Sequence, residues 1–157
     1  MVIVVDASVA VKWYVNEPFA DEAITFYAEN QGNLIVPDVF AVEVVAALIR
    51  RANIEKTFRP DAERSVGNFV QVLEAGLVNA RRSSSQQVAR AATLALDLGH
   101  PLKDCIYLVL AMELDCDLVT CDAKFAKKAR MVWDRVRMLG SEGEMQVKGY
   151  VGGRSRN

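Results

Sequence analysis

Four carboxylates stand out by their surroundings: Asp6 at the end of VIVV, Glu43 inside VFAVEVVAALI, Asp104 at the head of DCIYLVLAM, and Asp122 just after DLVT. An ionised carboxylate isolated among apolar neighbours is costly, so each must be protonated, paired or bound to a metal. Each also has an ordinary structural alternative. Asp6 or Ser8 can cap a helix beginning in AVKWY, Asp122 can cap AKFAKKAR, and Asp104 can complement the positive end of its own helix. Glu43, in mid-helix, has no capping role, and its alternative is an ion pair. If the four converge, two charges ~4 Å apart repel by about 4 kcal/mol at an effective dielectric of ~20. Such a set holds protons or attracts cations. Hard oxygen ligands select Mg²⁺ or Mn²⁺ over zinc or copper. A divalent ion there would activate water for attack on phosphorus and stabilise charge on the leaving oxygen, and a second ion about 3.5 to 4 Å away would divide those tasks. Ser8 and Thr120, each two residues from an acid, are placed to support the carboxylates or to act as plain capping hydroxyls.

Other chemistries find less support. A Ser-His or Cys-His nucleophile would have to use His100, the one histidine, which lies between Gly99 and Pro101. Cys105, Cys116 and Cys121 form no CxxC pair, which speaks against structural zinc and for small buried thiols. No phosphate loop of the Walker type and no GxGxxG follows any apolar run.

The elements that must position these residues alternate between apolar runs and helical periodicity. VIVV is too apolar for a half-exposed strand and reads as a strand covered on both faces. Helices through about Asn30, the strand NLIV and a helix from Asp38 to Arg51 follow. Another helix after Pro60 runs to about Ala75, with a brief strand at LVN. Ser84 and Gln87 form a capping box before a helix stopped by Gly99, in which Val88, Ala91, Ala92, Ala95 and Leu96 share helical spacing. Pro101 suits the first turn of LKDCIYLVLAMEL, and DLVT, AKFAKKAR and an edge strand in RVRML complete the pattern. The alternation predicts a parallel α/β sheet. Ligand sites in such sheets lie beyond the carboxyl ends of strands, where Asp6 and Asp122 both fall.

The 157 residues, 52% hydrophobic and 25% charged, suit one domain with one core. No apolar stretch reaches membrane-spanning length, the N-terminus lacks a charged region before its short Val run, and the three cysteines fit reduced thiols, so a cytoplasmic location is expected. Net charge is -1, yet from Ala123 onward nine Lys or Arg stand against three Asp or Glu. An acidic body with a basic C-terminal segment is compatible with a polyanionic substrate near a metal, and also with a merely solvated helix face.

In their contexts VVDASVAVKW, PDVFAVEVVAAL, HPLKDCIYLVLA and DLVTCDAKFAKKA, the four acids resemble the PIN-domain ribonucleases, and most closely the VapC-type toxins of toxin-antitoxin pairs. The resemblance runs from Val2 to about Leu139. It implies a three-layer α/β fold with a central twisted parallel sheet flanked by helices, over residues 1–140; the Gly-rich, polar stretch at 141–157 reads from its own composition as a loose tail or partner-binding segment. It implies Mg²⁺- or Mn²⁺-dependent endonucleolytic cleavage of RNA, with Asp6, Glu43, Asp104 and Asp122 as metal-binding, catalytic acids and Ser8 and Thr120 as supporting hydroxyls. A homodimer and a cognate antitoxin protein are implied as partners. Two departures are Cys121, where a small residue is usual, and the tail after Gly140. Arg50, Arg51, Arg81, Arg82, Lys124, Lys127 and Lys128 are candidates for RNA phosphate contacts or plain solvated charge. Phe19, Ala23, Phe26, Tyr27, Trp13 and Tyr14 are core or an antitoxin groove.

Two alternatives stay open at this level. A phosphoryl-transfer domain of receiver or haloacid-dehalogenase type also puts Asp after its first strand, but Ser8 stands where the dehalogenase pattern needs a second Asp, and Glu43 has no role. The other is a non-catalytic domain of the same fold that binds RNA or a partner.

Overall fold

Strand β1 (Ile3–Val5) is buried at all three positions, as its unbroken run of β-branched residues predicts. In the computed structural model, which describes residues 1–140, it pairs in parallel with β2 (Leu34–Pro37) on one side and β4 (Asp117–Thr120) on the other. Strand β3 (Val78–Arg81) lies outside β2 and β5 (Val136–Met138) outside β4, giving an all-parallel sheet in the order β3-β2-β1-β4-β5. The tail expected at residues 141–157 lies outside the described residues.

The crossovers supply the flanking layers. Helices α1 (Ala7–Val11) and α2 (Ala20–Asn30) join β1 to β2, and α3 (Val39–Ile54), a 3-10 turn at Lys56–Phe58 and α4 (Arg59–Glu74) join β2 to β3. Helices α5 (Ser85–Leu98) and α6 (Leu102–Glu113) return the chain to β4, and α7 (Ala123–Ala129) leads to β5. The chain thus winds outward from β1, then crosses back to its other side. The order reverses between β1 and β4, and the loops leaving those two strands diverge to open a crevice. Asp6 and Asp122 follow these very strands.

Most local signals act as the sequence predicts. Ser84 and Gln87 form the reciprocal capping box, and Gly99 ends α5 in the left-handed region at φ 59°, which turns the chain sharply into α6. Helix α6 is a core helix: Asp104, Cys105 and Tyr107 through Ala111 are all buried. Its Tyr107, with Phe40 of α3, Phe69 of α4 and Phe125 of α7, is among the largest fully buried side chains, each worth roughly 1.5–3 kcal/mol of burial.

Some details differ. Helix α3 continues to Ile54 because Ala52 and Asn53 do not stop it, and the 3-10 turn inserts before Pro60 enters the first turn of α4. In α5 the buried stripe is narrower than its spacing suggests: Ala91 is covered, but Leu96 is 84% exposed. Trp13 and Tyr14 are half-buried, Trp13 donating to the Ala23 carbonyl and packing at a tilt against Tyr27, and Tyr14 meeting Phe69 edge-on. Among the described residues no helix is long and apolar enough to cross a membrane.

Candidate metal centre

Asp6 sits at the mouth of the sheet, 3% exposed, with its backbone N–H still bonded to the Val119 carbonyl. Two hydroxyls converge on one of its oxygens: Ser8 Oγ donates to Oδ2 at 2.6 Å and Thr120 Oγ1 at 2.8 Å. Neither hydroxyl is free to turn away. Ser8 Oγ accepts the Cys121 N–H and Thr120 Oγ1 accepts the Asp122 N–H, so each is fixed as a donor toward Asp6. Ser8 and Thr120 therefore both support Asp6, although Thr120 is nearer in sequence to Asp122. Burial pushes the Asp6 carboxyl above its ordinary pKa; the two hydroxyls oppose this, and the charges of Asp104 and Asp122 add to it.

Asp104 comes from the first turn of α6, where the helix dipole favours a negative charge. His100 Nε2 lies 2.7 Å from its Oδ2, and the imidazole stacks on Phe125 with ring centroids 5.2 Å apart. Glu43 projects from α3 with its side chain only 14% exposed. Burial raises its pKa to about 7, opposed by Lys103, whose Nζ is 3.9 Å from Oε2, and reinforced by Asp6 and Asp104. Its other oxygen, Oε1, is buried without a hydrogen-bond partner among the described residues.

One ligand oxygen each from Asp6, Glu43 and Asp104 lies within 4.8 Å of the others. Three hard, mutually repelling carboxylates at this spacing fit a divalent cation of the Mg²⁺ or Mn²⁺ class. Asp122 is not part of this trio. Its Oδ1 accepts the Phe125 N–H and caps α7, so the capping role open to it is realised, while its charge still bears on Asp6.

All four acids line one crevice of about 590 Å³. Arg50, Lys103 and Lys124 line it as well, so the acidic floor carries cations around it. The remaining basic candidates do not line the crevice. Lys128 Nζ instead binds the Leu98 carbonyl at the end of α5, and Arg51 pairs with Glu55. Three neighbours of the trio, His100, Lys103 and Tyr107, do not stand out in the sequence as parts of a metal site. The signal for Tyr107 is its spacing three residues after Asp104 on α6, whereas His100 precedes that helix and is brought to Asp104 by the turn at Gly99.

The fold has solved counterparts. A chain described as "Crystal Structure of PAE2754 from Pyrobaculum aerophilum" superimposes with a TM-score of 0.66 at 15% sequence identity, covering 96% of both chains. At that identity the likeness speaks for the fold alone. Among curated proteins no similar sequence is found. The PIN domain family matches residues 3–131, which sets aside the receiver and dehalogenase alternative. With that match spanning most of its length, and with its acids gathered where β1 and β4 diverge, the chain belongs to the PIN domain family.

Proposed function

We propose that this protein is a Mg²⁺- or Mn²⁺-dependent endoribonuclease, the toxin of a toxin-antitoxin pair. PIN domains are generally nucleases. The observation that carries the reading is the trio Asp6, Glu43 and Asp104, with oxygens within 4.8 Å in a crevice that also presents Arg50, Lys103 and Lys124. Phosphodiester cleavage needs charge neutralisation at phosphorus beside a track for flanking phosphates, and this crevice offers both.

When bound, a divalent ion supplies Lewis-acid activation of water and neutralises charge developing on the phosphate. The chain's own residues prepare for it. Asp6 is locked by Ser8 and Thr120, and Asp104 by His100, so neither carboxylate has to find its orientation when the ligand arrives. Glu43, held near neutrality by burial, gives up its proton to bind. Arg50 and Lys124, on the crevice wall, hold phosphates of the bound strand. Asp122 adds negative charge while keeping α7 in place.

A cognate antitoxin and a second copy of the chain are the proposed protein partners. Exposed Val42 and Ile49, one apolar face of α3 beside the crevice, are surface for such a contact. The test is incubation of purified, partner-free protein with a structured RNA mixture and with DNA of matching sequence, in Mg²⁺, Mn²⁺ or EDTA. Cutting of RNA that requires the ion is expected, and RNA left intact in both metals would contradict the reading.

A further inference from the structure

Tyr107 is the largest fully buried side chain among the described residues, and it stands three residues after Asp104 on the same side of α6. A buried tyrosine normally places its hydroxyl on a partner. Here the hydroxyl makes no hydrogen bond among the described residues, and the one other buried side-chain atom in that condition is Glu43 Oε1. The two orphans are neighbours. The charges of Glu43, Asp6 and Asp104 all bear on the phenol, whose oxygen is also favoured as an anion by the Ala7 backbone N–H, and its hydroxyl in turn favours the Glu43 anion. One is a donor and the other an acceptor, each bearing the cost of desolvation without compensation.

We propose that Tyr107 is a positioning residue of the metal centre: on cation binding, when Glu43 is ionised, its hydroxyl donates to Glu43 Oε1 and holds that carboxylate with Oε2 available to the cation. The proposal rests on the reading of Asp6, Glu43 and Asp104 as cation ligands. Glu43 is the one member of the trio that no hydrogen bond anchors, its nearest cation being the half-exposed Lys103 at 3.9 Å. Asp6 has two hydroxyls and Asp104 an imidazole, and Tyr107 supplies the corresponding anchor for Glu43. The phenol is neutral at physiological pH, as a donor to a carboxylate must be.

The experiment is Mg²⁺ titration by calorimetry, together with thermal melting in EDTA, of wild type and Tyr107→Phe. The substitution removes one oxygen and keeps the ring. A purely packing role leaves Mg²⁺ affinity unmoved, whereas the positioning role weakens it about tenfold. At the same time the melting midpoint in EDTA rises by roughly 2–4 °C, because an unsatisfied buried donor has been deleted. Adding Tyr107→Phe to Glu43→Ala should leave the affinity of that single variant unchanged. Unaltered Mg²⁺ affinity in Tyr107→Phe, a lowered midpoint, or a further tenfold loss on the Glu43→Ala background would each overturn the role of Tyr107 while the metal centre stands. Absence of Mg²⁺ binding by wild type overturns the metal centre and this proposal with it. Should Tyr107→Phe fail to fold, ¹³C-tyrosine NMR of wild type decides: the Tyr107 Cζ resonance shifts on Mg²⁺ saturation, and an unmoved resonance contradicts the proposal.

Discussion

His100 Nε2 approaches Asp104 Oδ2 to 2.7 Å, with the imidazole pressed flat against Phe125 at an interplanar angle of 15°. The ring is 9% exposed and can neither swing away nor rotate freely. With Asp104 ionised, the shared proton sits on Nε2, so the histidine acts as a donor that aims the carboxylate and leaves its other oxygen to the crevice. The left-handed turn at Gly99 makes this possible by bringing His100 back over the start of α6.

Removing that support should loosen the site without unfolding the protein. His100→Ala is expected to weaken Mg²⁺ binding about tenfold, and His100→Gln, which retains a donor, by less. Calorimetric titration of the two variants checks this. Equal, wild-type affinities in both would mean that Asp104 is oriented by its helix alone.

The raised pKa of Glu43 makes stability depend on pH in a definite direction. Folding moves it from 4.5 to about 7, so between those values the folded chain binds more protons than the unfolded one. The contribution of Glu43 is full below 4.5 and is lost as pH rises through about 7. Asp6, also raised, acts with the same sign. In EDTA, the melting midpoint of wild type relative to Glu43→Gln should fall across this interval, and Mg²⁺ should recover most of the loss at the alkaline end. A difference that grows with pH in EDTA would contradict the assignment.

Lys103 opposes the protonation of Glu43 and competes for the same oxygen. Lys103→Ala is therefore expected to shift the Glu43 titration upward yet tighten Mg²⁺ binding several-fold at pH 8, where proton competition has faded, while RNA cleavage slows for want of a phosphate contact. Affinity and activity moving in opposite directions is the signature to look for. Parallel loss of both would assign Lys103 a merely structural part.

Asp122 separates two roles that its position in the sequence could not. Because it caps α7, Asp122→Ala should cost about 1 kcal/mol of stability, whereas Asn caps equally well. Asp122→Asn is thus expected to melt as wild type does and to keep Mg²⁺ affinity within about threefold, since Asp122 stands outside the trio. Denaturant titration and calorimetry of the pair test this, and a collapse of Mg²⁺ binding in Asp122→Asn would return it to the ligand set.

What the sequence makes legible follows from how a side chain announces itself. Asp6, Glu43 and Asp104 are conspicuous because a charge in an apolar run demands an explanation, and the structure brings all three together. The strands are legible from their β-branched runs, and α5 from its capping box and terminal Gly99. Tyr107 and His100 are silent for the opposite reason. A tyrosine in CIYLVLAM looks like ordinary core, and a histidine between Gly99 and Pro101 looks like a turn residue, until the path of α6 shows which carboxylate each one faces. Asp122 is ambiguous in the sequence because a capping carboxylate and a ligand at a strand end share the same local pattern; the structure shows the cap, with Oδ1 accepting the Phe125 N–H. Leu96 carries helical spacing yet is exposed, because spacing identifies a face and not what covers it.

The most direct measurement compares wild type with Asp104→Asn, purified identically and free of partner, for Mg²⁺ binding by calorimetry and for RNA cleavage in the same buffer. Asn fills the same volume but lacks the charge, so the fold should persist. Wild type should bind Mg²⁺ and cut RNA, and Asp104→Asn should lose cleavage by at least about a hundredfold together with most of its Mg²⁺ affinity. Cleavage by Asp104→Asn at the wild-type rate would contradict the claim that Asp6, Glu43 and Asp104 form the working centre.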